Sequence, residues 1–206
     1  MITRDQALSL IKEHVDNKNI IKHMLATEAL MGAVYDELGI KNNELWEEQK
    51  HGKKEEWMLA GLLHDGDYCE GVPMEKQGIQ IVEWAKKKSP PAGRQGFEIP
   101  DNVAHAMAAH NFRNTKVEPK SLMDWAIVCG DTLTGLIVAC ALVRPDKKLS
   151  GLTVESVLKK FPSKSFAAGT RRDDIALCEE KLGLSLKKFI EISLKAMQSI
   201  NQELGL

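Results

Sequence analysis

Apolar residues recur at helical spacing along nearly the whole chain. In the stretch NIIKHMLATEALMGAVY, Ile20, Met24, Leu30, Met31 and Val34 share one helical face, so a helix is predicted from about Asn19, ended by Gly39. Upstream, Thr3 with Gln6 reads as a capping box that opens a first helix to about Val15. Residues 40–54 are polar and irregular. Glu55 to His64 is a short apolar helix stopped by Gly66, and residues 75–88 form another, closed by Lys86, Lys87 and Lys88. SPPAGRQGFEIP, residues 89–100, is a loop, because Pro90 and Pro91 break a helix and Gly93 and Gly96 loosen it. A helix over Asp101–His110 follows, then a central one from about Ser121 to Leu142, ended by Arg144-Pro145. Thr153 with Ser156 opens a short helix to Lys160, stopped by Pro162, and residues 170–182 and 185–204 are the last two helices. No period-2 run of β-branched residues, no internal repeat and no linker-like composition interrupts this pattern. An all-α helical bundle forming one domain over 1–206 is therefore expected.

Composition narrows the classes. A chain of 206 residues is long enough for a full core. A formal net charge of −1 gives no general attraction to a nucleic-acid polymer or an anionic membrane. Cys69, Cys129, Cys140 and Cys178 have no short C-x-x-C spacing, which reads as buried free thiols in a reducing compartment. The start, MITRDQALSL, meets charged and polar residues too early for a secretory signal, so a cytoplasmic location is expected. One segment, Trp125 to Val143, imitates a membrane span, but Asp131, Thr132 and Thr134 interrupt it. A charge at the centre of a lone spanning helix is costly, and the segment reads as the buried central helix of the bundle.

The chemistry begins with Asp131. Apolar residues flank it on every face of its helix, so an ionised carboxylate there needs a partner. Arg144 is more than three turns away, roughly 20 Å along the axis; a metal ion or the end of another helix are the alternatives. His23 lies among apolar residues and is either a hydrogen-bonded core histidine or a ligand. His64-Asp65 either ends a helix or offers two adjacent ligands. Adjacent residues on a straight helix point about 100° apart, but a helix end lets Asp65 turn with the backbone toward Gly66. His and Asp side chains suit divalent transition metals, and bundles build such sites from facing helices.

The order His23, His64-Asp65, Asp131 on helices resembles the HD superfamily of metal-dependent phosphohydrolases. HMLATEAL, LAGLLHDGDY, AAHN, GDTLTGLIVACALVRPDKKL and VLKKFPSKSFAAGTRR, in order over about residues 18–175, look like a bacterial subfamily of predicted HD-domain hydrolases. The resemblance implies an HD-type helical fold, one divalent ion (Mn, Fe, Co, Ni, Zn or Mg) held by His23, His64, Asp65 and Asp131, and hydrolysis of a phosphate ester, often of a nucleotide or related metabolite. Such an ion would polarise a phosphoryl oxygen and activate a water. Many members carry further histidines that bring in a second metal. Where the subfamily often has His-Pro, this chain reads VPMEKQG, with Met74 near that place, so one ion is expected, with His110 near the substrate. His105 reads as a surface or structural histidine.

Other polar groups keep two readings each. Asp67 is either an acid–base carboxylate beside the site, sharing catalysis with Asp65, or a turn aspartate. Glu28 either orients His23 or forms an ordinary salt bridge. The basic segment 144–172 offers Arg144, Lys160 and Arg171 as leading phosphate-binding residues, against a plain solvated face. The expected partner is a small phosphate ester or nucleotide, with a homodimer left open. The competing functions are a nucleotide-sensing binding protein whose metal is structural or vestigial and, less well matched by the second-metal positions, a di-iron oxygenase.

Overall fold

The computed structural model describes residues 1–42, 51–88 and 97–206, without the side chains of residues 40–42. These residues are all-helical, with no strand among them. The order is α1 (Arg4–His14), α2 (Lys18–Asn42), α3 (Lys54–Leu63), a 3-10 turn (Met74–Lys76), α4 (Gln80–Lys88), α5 (Asp101–His110) and α6 (Phe112–Thr115). It continues with α7 (Leu122–Leu142), α8 (Val154–Lys160), α9 (Arg172–Leu182), α10 (Leu186–Ser199) and α11 (Asn201–Leu204).

Local chemistry explains most boundaries. Thr3 and Gln6 form the expected capping box, with Gln6 N–H donating to Thr3 Oγ1 (3.2 Å) and Thr3 N–H to Gln6 Oε1 (2.8 Å). Ser121 and Asp124 do the same for α7, and Thr153 caps α8. Three expectations differ. Gly39 does not stop α2, because its backbone stays helical rather than left-handed, and the helix continues to Asn42. The element expected over 75–88 is split at Gly78, whose φ of +81° breaks the helical path. The element over 185–204 breaks at Ile200 (φ −113°, ψ 22°). The segments 40–54 and 89–100 fall largely on residues 43–50 and 89–96, outside the described residues.

α7 runs through the middle, packed against α2, α5 and α9, while α2 packs also on α3 and α10. The core is one continuous cluster that includes Trp57, Leu30, Ile127, Leu136 and Phe189. By length and composition α7 could cross a membrane. Of its apolar window 61% is buried against neighbouring helices, the character of a central bundle helix. Cys129, Cys140 and Cys178 are the expected buried free thiols, while Cys69 is free but only partly buried; burial pushes Cys178 up to about 12.

Two helix crossings set the distances that matter. A Cβ on Gly61 of α3 would lie 2.7 Å from the Thr27 carbonyl oxygen of α2. One on Gly130 of α7 would lie 2.6 Å from Leu30 Cδ2 of α2. At Gly61 the clash is with backbone and only glycine permits the approach, while at Gly130 a Cβ would have to displace the Leu30 side chain; the approaches bring the end of α3 and the middle of α7 to the first half of α2, where His23 sits.

Candidate metal centre

His23, His64, Asp65 and Asp131 come from α2, the end of α3 and α7, and they converge. His23 Nε2 lies 2.8 Å from Asp131 Oδ1, 3.2 Å from His64 Nε2 and 3.5 Å from Asp65 Oδ2. His64 Nε2 lies 3.5 Å from Asp65 Oδ2 and 3.6 Å from Asp131 Oδ1. The helix end makes this possible. After Leu63 the chain tightens, with Gly66 N–H donating to the Leu63 carbonyl (2.9 Å) and Tyr68 N–H to that of Asp65 (3.0 Å). Asp65 thereby turns to the same side as His64. Gly66 packs closely there, where a Cβ would overlap the end of the buried Ile81 side chain.

The outer ring nitrogens decide what the inner ones offer. His64 Nδ1 is 2.8 Å from the Gly61 carbonyl oxygen, which can only accept, so Nδ1 carries hydrogen. Thr134 Oγ1 donates to the Asp131 carbonyl (2.7 Å) and therefore accepts from His23 Nδ1 at 2.9 Å. His110 Nδ1 donates to the Met107 carbonyl. In neutral rings, the Nε2 lone pairs of His23 and His64 then face each other and two carboxylates. Such a set of acceptors is repulsive unless a cation stands among them. Two ligands about 2.1 Å from one ion at tetrahedral or octahedral angles are themselves about 3.0–3.4 Å apart. The observed 2.8–3.6 Å separations fit that requirement. His23, His64 and Asp131 form a group that could hold a metal ion, with Asp65 beside it through His23 and His64, and anchoring of Nδ1 by a neighbouring acceptor is the usual support of a metal-bound histidine.

Without an ion, protons meet part of the need. Burial would depress the His64 imidazole, but the Asp65 charge and the Asp131 hydrogen bond raise it above its ordinary value. Burial also opposes the Asp131 carboxylate, yet His23 and His64 hold it well below the usual range. Asp65 is likewise lowered, against burial, by the charge of His64 and by His110.

His110 joins from the end of α5. Its Nε2 is 3.5 Å from Asp65 Oδ1, the oxygen not turned toward His23 and His64, and His64, Asp65 and His110 form a second group that could hold an ion. His110 thus adjoins the ligands through Asp65. His105, expected as structural, pairs with Asp124 at 3.1 Å.

Several expected roles are corrected. Asp67 is fully buried and both of its oxygens accept backbone N–H groups, from Gly78 (2.8 Å) and Ile81 (3.0 Å). It is the turn aspartate of its two readings, tying the end of α3 to the start of α4, and burial raises its pKa despite those bonds. Glu28 accepts two hydrogen bonds from Arg4 (2.6 and 2.8 Å). It is a salt-bridge residue, and Thr134 takes the orienting place at His23. Arg144 pairs with Asp146 (3.1 Å) beyond the far end of α7, and Lys160 sits over the Phe166 ring (5.0 Å to its centroid).

Of the three expected cations, Arg171 shares a pocket with His23 and Asp131. An open pocket of about 430 Å³ is bounded by His23 and Asp131 on one side and by Thr132, residues 167–170 and Arg171 on the other. Arg171 N–H donates to Thr132 Oγ1 (2.8 Å), and its Nε pairs with buried Asp174 (2.9 Å). Asp174 is also gripped by Arg113 at 2.9 and 2.5 Å. Arg172 shapes the loop by donating to the carbonyls of Phe161, Ser163, Phe166, Ala167 and Thr170. Sequence reasoning passed over Thr134, Arg113 and Asp174. The single available signal was Thr134 three residues beyond Asp131, a polar group on an otherwise apolar helix.

The chain matches no protein-family model, no curated protein and no solved structure.

Proposed function

We propose that the protein is a metal-dependent phosphohydrolase, as its resemblance to the HD superfamily implies, acting on a small-molecule phosphate ester with one divalent ion at His23, His64, Asp65 and Asp131. The observation that carries the reading is the facing pair of Nε2 atoms, 3.2 Å apart, whose Nδ1 partners are both hydrogen-bond acceptors. The ion, when bound, would supply Lewis acidity and a water of lowered pKa.

The chain's own residues supply the rest. His23, anchored by Thr134, and His64, anchored by Gly61, present fixed nitrogen donors. The Asp131 side chain keeps 19% of its exposure on the pocket side, so the ligand set is open toward a substrate. Arg171 offers a cation across that pocket to the phosphoryl oxygens, with Asp174 and Arg113 fixing its direction. In the overall step the water oxygen bonds to phosphorus, the ester P–O bond breaks, and the alcohol oxygen leaves with a proton. Asp65 and His110, in contact through Oδ1 and Nε2, are the pair placed to move that proton.

The test is turnover by chelator-stripped protein reloaded with manganese, cobalt, nickel, zinc or magnesium, on a panel of phosphate esters and nucleotides. Phosphate release that disappears in Asp131→Ala supports the reading. Tight nucleotide binding with no release under any metal would replace it with the sensing function.

A further inference from the structure

Gly135 is the one glycine of α7 that nothing in the packing explains. Gly130, five residues earlier, faces the Leu30 side chain, 2.6 Å from where its Cβ would lie; a Cβ on Gly135 would meet no atom within 4 Å. Glycine is disfavoured in a helix interior, and here it sits exposed near the middle of a 21-residue helix. It lies one turn after Asp131, on the same face. It also bounds two pockets at once. One is the polar pocket of Asp131 and Arg171, and the other is a cavity of about 560 Å³ lined by Ala26, Val138, Leu142, Leu204 and Leu206, with Asn19 and Lys22 also on its wall. His23 is the other side chain at this junction, and Thr134 behind it belongs to the second cavity.

We infer that Gly135 is a specificity-determining position, and that the missing side chain keeps open a passage from the phosphate pocket into a binding pocket for the substrate's organic part. The inference rests on the phosphohydrolase reading for the placement of the phosphoryl group. The second pocket is walled chiefly by aliphatic side chains, and its size suits a drug-sized or smaller group. The substrate class it selects is a phosphate monoester of a bulky, largely apolar alcohol or aryl group, such as a two-ring aromatic. The esters of short polar alcohols would leave it empty.

The experiment compares wild-type protein with Gly135→Leu, which projects an aliphatic side chain into the junction. Each protein, loaded with manganese, is assayed on 1-naphthyl phosphate and on glycerol phosphate, and binding of 1-naphthyl phosphate is measured separately by calorimetry. The expected result is a naphthyl-to-glycerol ratio of kcat/KM at least tenfold above unity in the wild type, falling at least tenfold in Gly135→Leu, with naphthyl phosphate affinity falling in parallel. Metal content and Tm check that the variant is folded and loaded. Gly135→Ala, with a smaller side chain, reduces the ratio less. An unchanged ratio together with unchanged affinity overturns the inference and leaves the hydrolase reading standing. Binding that is lost in Gly135→Leu, in a protein that hydrolyses neither ester, upholds the pocket and removes the hydrolase reading. Failure of the wild type to bind naphthyl phosphate overturns the inference.

Discussion

Thr134→Val separates the orientation of a ligand from its presence. Thr134 is fully buried and its hydroxyl links the Asp131 carbonyl to His23 Nδ1. Valine keeps nearly the same shape and removes the oxygen. His23 Nδ1–H then loses its acceptor, and an unmatched buried donor costs about 1–3 kcal/mol of folding stability. At about 2–4 °C per kcal/mol for a chain of this size, Tm should fall by roughly 2–12 °C. The metal responds independently of that loss. Groups that hold a ligand histidine in place contribute about 10–100-fold to metal affinity, equivalent to about 1.4–2.8 kcal/mol. Calorimetric titration of chelator-stripped protein with manganese or zinc, using a competing chelator for the tighter ion, reads this directly. Thr134→Ser restores the hydroxyl and should recover most of the affinity. Glu28→Gln should leave affinity near that of the wild type, because Glu28 is held by Arg4. Wild-type affinity in Thr134→Val, or an equal loss in Glu28→Gln, would refute the assignment of Thr134 as the group that orients His23.

Asp131→Ala should lose stoichiometric metal, and elemental analysis that finds wild-type content in this variant would sink the ligand set. Metal affinity should climb by at least about tenfold between pH 6 and 8, because the ion must displace the proton of the raised His64 and is repelled by a protonated His110 beside Asp65; titrations at several pH values measure it. In the unloaded protein the signs run the other way: the raised His64 stabilises fully below about 6.5 and loses that contribution as pH rises through its folded value, while the depressed Asp131 stabilises above about 3.8 and loses it as pH falls through its lower folded value. Thermal melts should therefore show the unloaded protein losing stability as pH rises above about 6.5, in the direction in which added metal stabilises it more. Gly61→Ala forces α2 and α3 apart by several tenths of an ångström at the Thr27 carbonyl; a loss of about 1–3 kcal/mol is expected, together with weaker metal binding, and an unaltered Tm would show that the crossing is slack. Asp67→Asn should lower Tm through the bonds to Gly78 and Ile81 while metal content persists, and a lost metal with unchanged Tm would return Asp67 to the chemistry.

Much of this protein was readable along the chain. Helical periodicity, the Thr3–Gln6 box and the apolar run around Asp131 determined an all-helical bundle with a long central helix, because these signals are local. A carboxylate in that run demanded a partner, and the pattern His23, His64-Asp65, Asp131 named its candidates. What the chain could not show was which hydrogen bond each polar group makes. Glu28, Asp67 and Arg144 all had suitable chemistry, and each found a partner elsewhere: Arg4, the Gly78 and Ile81 amides, and Asp146. Those choices depend on helix crossings, which Gly61 and Gly130 set at the scale of tenths of an ångström. The same crossings put Thr134 behind His23 and left Gly135 facing open space. Spacing in sequence fixes the face of a helix; only packing against the other helices decides what that face meets.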